Sequence, residues 1–487
     1  MGLNNQLDSI YESLGYVWPE LILTFSILVV LTTGLIFKEK SHVTFVLSGI
    51  ALAVALIPVL ITWPQQPVSL FSNMLRVDDF AAFFKVLFLI GGLLTLTITG
   101  KKKEAAEFHL LILAVVLGAC LLVMSMNFVM VLLALELISL SSYLLVGFSF
   151  DRKSAEGSLK YFLFGTVATA VMIYGLSLLY GLAGTLDFSS SPFIDSLMRT
   201  QSPLLLVSCL LILAGFLFKM AAVPLHLWAP DVYEAAPTAV VAFLSVVPKL
   251  AGMAVLIKLV LSFYLFGQSV YLWPEMIAAV SIASILVGNL SALVQTNPKR
   301  MLAYSSVAQS GFMLVGLTTL QLEGIHFAIF YGAIFLLMNF LVFAVLTYYE
   351  KHGDINSVNS LSGLGRLSWF PAFSMLIGMV ALTGLPPTAG FTAKLLIFSS
   401  LWSSYQETHS MILIALFLVG LLNTVVSLFF YLKIPYFLFI KEAPVGVTIK
   451  SSGFSNLLHL VLVIALIYLF LQPDLLMGWI NRITFVL

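Results

Sequence analysis

Apolar residues fill this chain in runs of about 20, the length an α-helix needs to cross a hydrocarbon core. Charged and turn residues separate the runs. Fourteen spans are predicted, near 18–37, 43–62, 79–99, 108–125, 126–150, 158–182, 203–223, 236–262, 272–293, 301–320, 324–348, 370–402, 411–438 and 455–475. Two of them are interrupted. The seventh reads LAGFLFKMAAVPLHLWAPD, with Pro224 and Pro230 downstream of Lys219. The twelfth reads ALTGLPPTAGFTAKLLIF, with Gly384, Pro386, Pro387 and Gly390 upstream of Lys394. The stretch 236–262 has room for the second half of the seventh helix as well as the eighth. The pattern predicts an all-α polytopic membrane protein of about fourteen transmembrane helices, with the seventh and twelfth broken.

Spans 4–8 and 9–13 each hold five helices, with the broken helix fourth in each set. Five is odd, so a second copy of such a unit runs through the bilayer upside down. Inverted repeats of this kind place ion sites near the midplane, on broken helices. The lysine precedes the break in span 7 and follows it in span 12, which also fits inversion. The expected organisation is one membrane domain, 1–487. It holds three N-terminal helices in 1–105, a first five-helix repeat in 106–265, an inverted second repeat in 266–440 and a C-terminal helix in 441–487.

Composition agrees with the class: 61% of residues are hydrophobic and 9% charged, against roughly 25% charged in soluble domains. The formal net charge is +1 and no basic cluster interleaved with aromatics occurs, so nucleic acid is not an expected partner. The lipid bilayer is. Charge bias sets orientation, because cytoplasmic loops are enriched in Lys and Arg. With the N-terminus outside, one face collects fourteen of the 23 basic residues: Lys38, Lys40, Lys101, Lys102, Lys103, Arg152, Lys153, Lys160, Lys299, Arg300, Lys351, Arg366, Lys441 and Lys450. The other face has only Arg76, Arg199 and Arg482. Both termini are therefore expected to be external.

A charge at mid-bilayer depth is costly and usually lies on an ion path. Glu136 sits in the middle of span 5, and Ser139 and Tyr143, three and seven residues on, share its helix face. Its natural partner is Lys219, with a structural lock between two helices as the alternative. At Lys219 the membrane interior opposes the charged form and a carboxylate favours it. Moving Glu136 would then capture or release a proton. Pro224 removes an amide donor and frees backbone carbonyls for water. His226 is read as a proton relay or as a satisfied hydrogen-bonding histidine. Lys249, after Pro248 in the next apolar segment, is read as the receiver between Lys219 and Lys394, or as a lysine snorkelling from a short helix end. Lys394 lies four residues after Gly390, whose missing side chain leaves room for water. Lys85 and Lys258 are nearer helix ends and read as snorkelling.

No dinucleotide fingerprint, P-loop or cysteine cluster set is present in the sequence. The two cysteines, Cys120 and Cys209, fall in different apolar runs and read as inert buried thiols. No cofactor is expected on this chain. Its energy input comes from an ion gradient or from a partner protein.

At these residues the chain resembles the antiporter-like membrane subunits of respiratory complex I, and within them the N-type subunits of bacterial NADH–quinone oxidoreductase. The matching stretches are LALELISLSSYLLVGF, FKMAAVPLHLWAPDVYEAAPTAV, SIASILVGNLSALVQTNPKRMLAYSSVAQSGFMLVG and GLPPTAGFTAKLLIF, spread from about residue 76 to 435. The resemblance implies that Glu136, Lys219, Lys249 and Lys394 transfer protons. It also implies a non-redox subunit of an H+-translocating enzyme in the bacterial inner membrane, beside an M-type antiporter-like subunit and small K- and J-type subunits. FMN and Fe–S clusters are then expected in partner subunits, with NADH and quinone as substrates of the whole complex. Among the sister types, L has a long C-terminal extension where this chain ends shortly after span 14. M usually has glutamate where Lys394 stands, and both tend to have Trp where Leu135 stands. Gln309 occupies a place where histidine is frequent, which puts a relay there in doubt. The alternative reading is a subunit of a multi-subunit cation/proton antiporter, and a third is a structural spacer.

Overall fold

A computed structural model of the chain describes residues 10–37, 41–64, 66–100, 105–199, 203–266, 273–443, 449 and 453–485. Lys38, Lys40, Lys101, Lys102, Lys103 and Lys450 of the predicted basic face lie outside the described residues.

The protein is helical because a backbone in hydrocarbon must satisfy its own hydrogen bonds. In chain order come α1 (Trp18–Ile36), α2 (Ser41–Ile61), a hairpin of β1 (Val68–Leu70) and β2 (Leu75–Val77), α3 (Asp79–Thr99), α4 (Ala106–Met124), α5 (Phe128–Val146), α6 (Arg152–Ala183) and α7 (Ser191–Arg199). There follow α8 (Pro203–Met220), α9 (Trp228–Ala235), α10 (Thr238–Leu244), α11 (Val247–Phe266), α12 (Trp273–Leu293), α13 (Pro298–Thr318) and α14 (Leu322–Glu350). The last are α15 (Leu364–Leu367), α16 (Trp369–Thr383), α17 (Ala389–Thr408), α18 (Met411–Tyr431), α19 (Lys433–Phe439), α20 (Gly453–Leu471) and α21 (Asp474–Ile480). Strands β1 and β2 pair antiparallel, Ser69 opposite Arg76.

Polar caps fix where the helices begin. Asp78 accepts from the Ala81 amide at 2.7 Å, and Asn127 from Val129 at 2.9 Å. Asp151 forms a reciprocal capping box with Ser154, and Asn297 accepts from Lys299 and Arg300. Each takes up amides that the first helical turn leaves without partners.

Twelve spans among the described residues are long and apolar enough to cross a membrane, so the chain is a multi-pass membrane protein. Helices α13, α16 and α17 fall outside that set: α16 is short, and polar residues interrupt the apolar runs of the other two. Both predicted breaks are present. Helix α8 stops at Met220, where Ala221 turns into the left-handed region at φ 52, and the chain resumes as the short α9 and α10. Helix α16 stops at Thr383, Gly384 takes φ 85, and α17 starts after the two prolines. The stretch predicted to combine two pieces is divided at Ser245 and Val246, between α10 and α11.

The chain forms two compact units. The first comprises Met1–Lys219, Val247–Val270 and Arg482–Leu487. In it α4 is the central helix, packed against α1, α2, α3, α5 and α11. The second comprises Met220–Val246 and Tyr271–Asn481. Its centre is α14, which packs against α10, α13, α16, α17 and α20. Large apolar side chains stand exposed along α1, α2, α6, α18 and α20, as lipid-facing helices require.

Candidate functional site

In the first unit the acid and the lysine come together. Glu136 is half-buried on α5, and its Oε1 accepts a hydrogen bond from Thr169 Oγ1 of α6 at 2.8 Å. Lys219, in the last turn of α8, is buried and lies close enough to Glu136 to feel its charge, without a direct ion pair. Its ammonium makes no hydrogen bond with the described residues. It lies instead 5.9 Å from the Tyr143 ring centroid, 6.0 Å from Tyr161 and 5.9 Å from Phe218. These are at the outer limit of a cation–π attraction. The predicted polar stripe of α5 therefore faces the lysine through Tyr143, while Ser139 turns its hydroxyl onto its own helix, donating to the Leu135 carbonyl.

Tyr143 reaches this position because of a glycine. A Cβ on Gly165 of α6 would overlap the Tyr143 hydroxyl, so only glycine lets the ring lie flat there. Thr169 and Gly165 are one turn apart on α6, and both shape the pocket of Glu136 and Lys219. The sequence reading missed them. The run of Gly157, Tyr161, Gly165, Ala168 and Met172, three or four residues apart and all buried on one face of α6, is the signal that could have found them.

Lys249 belongs to the same unit, in the first turn of α11, and is 0% exposed. Snorkelling is thereby excluded, since a snorkelling lysine keeps its ammonium in the wet interface. The same correction applies to Lys85 and Lys258, which are 3% and 4% exposed. Lys85 pairs with Glu20 and Lys258 with the Val123 carbonyl. Nearness to a helix end in the sequence did not reveal that neighbouring helices cover them.

In the second unit His226 sits in the first break, buried beside the Pro224 backbone. The break is pinned along its length. Ser310 Oγ donates to the Met220 carbonyl at 2.5 Å, and the Val223 amide donates to Ser284 Oγ at 2.9 Å. Tyr233 meets Ser306, and Asn339 donates to Ser245. Arg300 pairs with Asp231 and Glu234 at 2.7 and 3.0 Å, and Lys299 with Glu350 at 3.2 Å. Of the carbonyls the sequence reading left for water, that of Met220 is taken by Ser310.

Lys394 lies in the second turn of α17, buried, its Nζ donating to the Thr383 carbonyl at 2.8 Å. Its ammonium stands 4.3 Å from the Phe312 ring centroid. The aliphatic stem crosses Gly384, where a Cβ would come within 2.6 Å of Lys394 Cδ. The room expected at Gly390 is not free for water. The Ala381 carbonyl and Met338 sulfur occupy the place a side chain there would take. An apolar cavity of about 360 Å³ opens beside Lys394, lined in part by Phe391, Phe398, Trp402 and Phe417. One residue away from Thr383, the Leu382 carbonyl accepts from Gln309 Nε2 at 3.0 Å. Gln309 also donates to Tyr431 at 2.9 Å and accepts from Tyr331, and Tyr431 meets Ser305.

The two breaks share one electrostatic consequence. Lys219 ends α8, and Lys394 caps the end of α16, so each ammonium lies at the carbonyl end of a half-helix. That end carries a partial negative charge and stabilises a cation by about 0.3–1 kcal/mol, more when partly buried. Lys219 is thus held near one carboxylate, and Lys394 against a neutral carbonyl. Among the described residues no group of three or more His, Cys, Asp or Glu side chains is gathered as a metal would require.

This geometry defines a polytopic helical protein with buried lysines on broken helices. The signature of the family described as "NADH:quinone oxidoreductase/Mrp antiporter, TM" matches residues 125–421, and the chain belongs to that family. Within it the chain is 37% identical to NADH-quinone oxidoreductase subunit N 2 of Chloroherpeton thalassium, over 88% of this chain and 86% of the relative. It is 36% identical to NADH-quinone oxidoreductase subunit N of Anaeromyxobacter sp. (strain Fw109-5), over 92% and 94%. Its fold resembles a chain of respiratory complex I from Thermus thermophilus with bound aureothin, at a TM-score of 0.81 and 28% identity, covering 96% of this chain and 100% of the other. A chain of the Mrp complex from Dietzia sp. DQ12-45-1b matches with a TM-score of 0.84 at 19% identity, covering 96% and 97%. At that identity the likeness concerns the fold.

Proposed function

We propose that this chain is a proton-translocating membrane subunit of an NADH:quinone oxidoreductase, and that it carries no redox centre itself. Electron transfer takes place in other subunits, which hold the FMN and Fe–S clusters. A conformational or electrostatic change reaching this chain alters the pairing of Glu136 with Lys219. A proton then passes by way of Lys249 to Lys394, with His226 as a relay. The observation that carries the reading is the buried Lys219 ammonium held in the field of Glu136 with no hydrogen bond from the described residues.

The magnitudes suffice. Moving one charge against 100 mV requires about 2.3 kcal/mol. Two unit charges 4 Å apart attract by about 4 kcal/mol at an effective dielectric of 20. Opening or closing such a pair is thus comparable to the work of one transfer.

The subunit sits in the bacterial inner membrane with both termini external, beside M-type, K-type and J-type membrane subunits. Residues 106–265 and 266–440 are read as inverted five-helix repeats. The second reading, a subunit of a multi-subunit cation/proton antiporter, is favoured by the fold shared with the Mrp chain. The native detergent-solubilised particle separates them: flavin and Fe–S subunits co-purify on the first reading, antiporter subunits alone on the second. The test of mechanism is NADH-driven proton uptake in vesicles for Lys219→Ala and Lys394→Ala, with assembly followed in parallel. Normal uptake per NADH in assembled variants removes the proposed role.

A further inference from the structure

The last four carbonyls of an α-helix have no partner within it. At the end of α16 each has found one. Those of Val380 and Ala381 accept between them from the Gly384 and Leu385 amides. The Thr383 carbonyl accepts from Lys394, and the Leu382 carbonyl from Gln309 Nε2 of α13 at 3.0 Å. Gln309 therefore fixes the carbonyl next to the one that holds the lysine. A backbone carbonyl only accepts, so this bond also sets which way the Gln309 amide faces. Its oxygen accepts from Tyr331 of α14, and its nitrogen donates a second bond to Tyr431 of α18.

The next residue of α13 does the same at the first break. Ser310 Oγ lies 2.5 Å from the Met220 carbonyl, the last of α8, and 3.0 Å from the Ser306 carbonyl of its own helix. One turn earlier Ser306 Oγ meets the Tyr233 hydroxyl of α9, beyond the break. Ser306 and Ser310 form one stripe along α13, and Ser305 and Gln309 the neighbouring one, each four residues apart. The first stripe meets the first break, and the second meets the end of α16 and Tyr431. Two broken helices are thus bonded to adjacent residues of a single unbroken one.

Helix α13 is placed to carry a displacement. From Met301 to Thr318 every residue but Tyr304 is buried. It lies against α12 with no room to spare: a Cβ on Gly311 would come within 2.9 Å of the Ser281 carbonyl, and one on Gly288 within 2.5 Å of the Ala308 nitrogen. Ser281 Oγ donates to the Gly311 carbonyl at 2.7 Å, and Ser284, also on α12, accepts from the Val223 amide in the first break. Close-packed interiors have low compressibility and transmit strain.

We propose that Gln309 and Ser310 are positioning residues that couple the two breaks. A shift of the chain just after Lys219 moves Met220 and α13. With them move the Leu382 and Thr383 carbonyls, which set where the Lys394 ammonium stands. The inference rests on the translocation reading and adds the part that carries a change at the first break to Lys394.

The test is hydrogen exchange on the purified complex, followed by mass spectrometry at peptides covering 220–228 and 380–392, with NADH-driven proton uptake measured in vesicles. The variants are Ser310→Ala, Tyr233→Phe, Gln309→Met and the conservative Gln309→His, whose ring N–H can donate to Leu382. Lys394→Ala is run in parallel. Ser310→Ala is expected to speed exchange about tenfold at 380–392 as well as at 220–228, and Gln309→Met to do the converse. Uptake per NADH falls about tenfold in each, while Gln309→His stays near wild type. The double variant Ser310→Ala/Gln309→Met loses no more than the worse single one, because both cut the same connection. Tyr233→Phe removes one hydroxyl, gives the same cross-effect in smaller degree, and decides the matter if Ser310→Ala does not assemble.

Exchange altered only in the break that each variant touches overturns the proposal. So does a double variant whose loss is the product of the two, about a hundredfold. Either result with uptake lost in Lys394→Ala defeats this inference alone. Wild-type uptake in assembled Lys394→Ala removes the translocation reading, and the role of Gln309 and Ser310 with it.

Discussion

The ammonium of Lys394 reaches back across a helix break to the Thr383 carbonyl, 2.8 Å away. A lysine that opens one half-helix thereby closes the other, and Gly384 between them leaves space for the stem. The bond ties the protonation of Lys394 to the shape of the break, because a neutral amine holds the carbonyl less strongly than an ammonium does.

Gly384→Ala tests that coupling. The residue sits at φ 85, and its Cβ would fall 2.6 Å from Lys394 Cδ. The left-handed conformation alone costs a non-glycine residue about 1–2 kcal/mol. Proton uptake is expected to fall as far as in Lys394→Ala, with electron transfer retained in the assembled complex. Vesicle uptake measured side by side for the two variants checks it.

Thr169→Val removes the hydrogen bond to Glu136 while preserving shape. A hydrogen bond to a charged group contributes about 1.5–3 kcal/mol, so Glu136 is expected to shift its position. Uptake should drop about tenfold or more, with Thr169→Ser close to wild type. Equal uptake in the valine and serine variants would dismiss the contact as incidental.

Gly165→Ala drives the Tyr143 ring off the face of α6. The ring stands between α6 and Lys219, so the prediction is impaired uptake without loss of the helical fold. The pairing with Tyr143→Phe is informative. That variant removes the hydroxyl, the nearer of the two Tyr143 atoms the new methyl would meet, and keeps the ring carbon behind it, so the double variant should regain part of the uptake lost in Gly165→Ala.

Gln309→Leu strands the buried Tyr331 hydroxyl and the Leu382 carbonyl and leaves the Tyr431 hydroxyl with Ser305 alone. Each buried polar group left without a partner costs about 1–3 kcal/mol. The thermal transition of the purified complex should fall by several degrees, and a transition at the wild-type temperature would show the network to be dispensable.

Much of the architecture was legible because the bilayer imposes a strict length and composition on each helix. The two breaks were equally plain, since proline and glycine act locally. Lys219 and Lys394 stood out because charge is rare in apolar runs. Lys85 and Lys258 misled: a lysine close to a helix end reads as reaching for the interface, and only the packing of α1, α3, α4 and α11 shows that neighbouring helices cover both. Gly390 misled for a similar reason, since a missing side chain signals space but not what fills it.

The sequence by itself determined the membrane class, the places where helices break and the identity of the charged groups in the interior. Each of these follows from the chemistry of a residue and its near neighbours along the chain. Tertiary structure alone decided that Thr169 holds Glu136, that Gly165 admits Tyr143 beside Lys219, and that Lys394 lies over Gly384 onto Thr383. These are contacts between separate helices, and helix periodicity fixes which face a residue occupies without fixing which helix that face will meet.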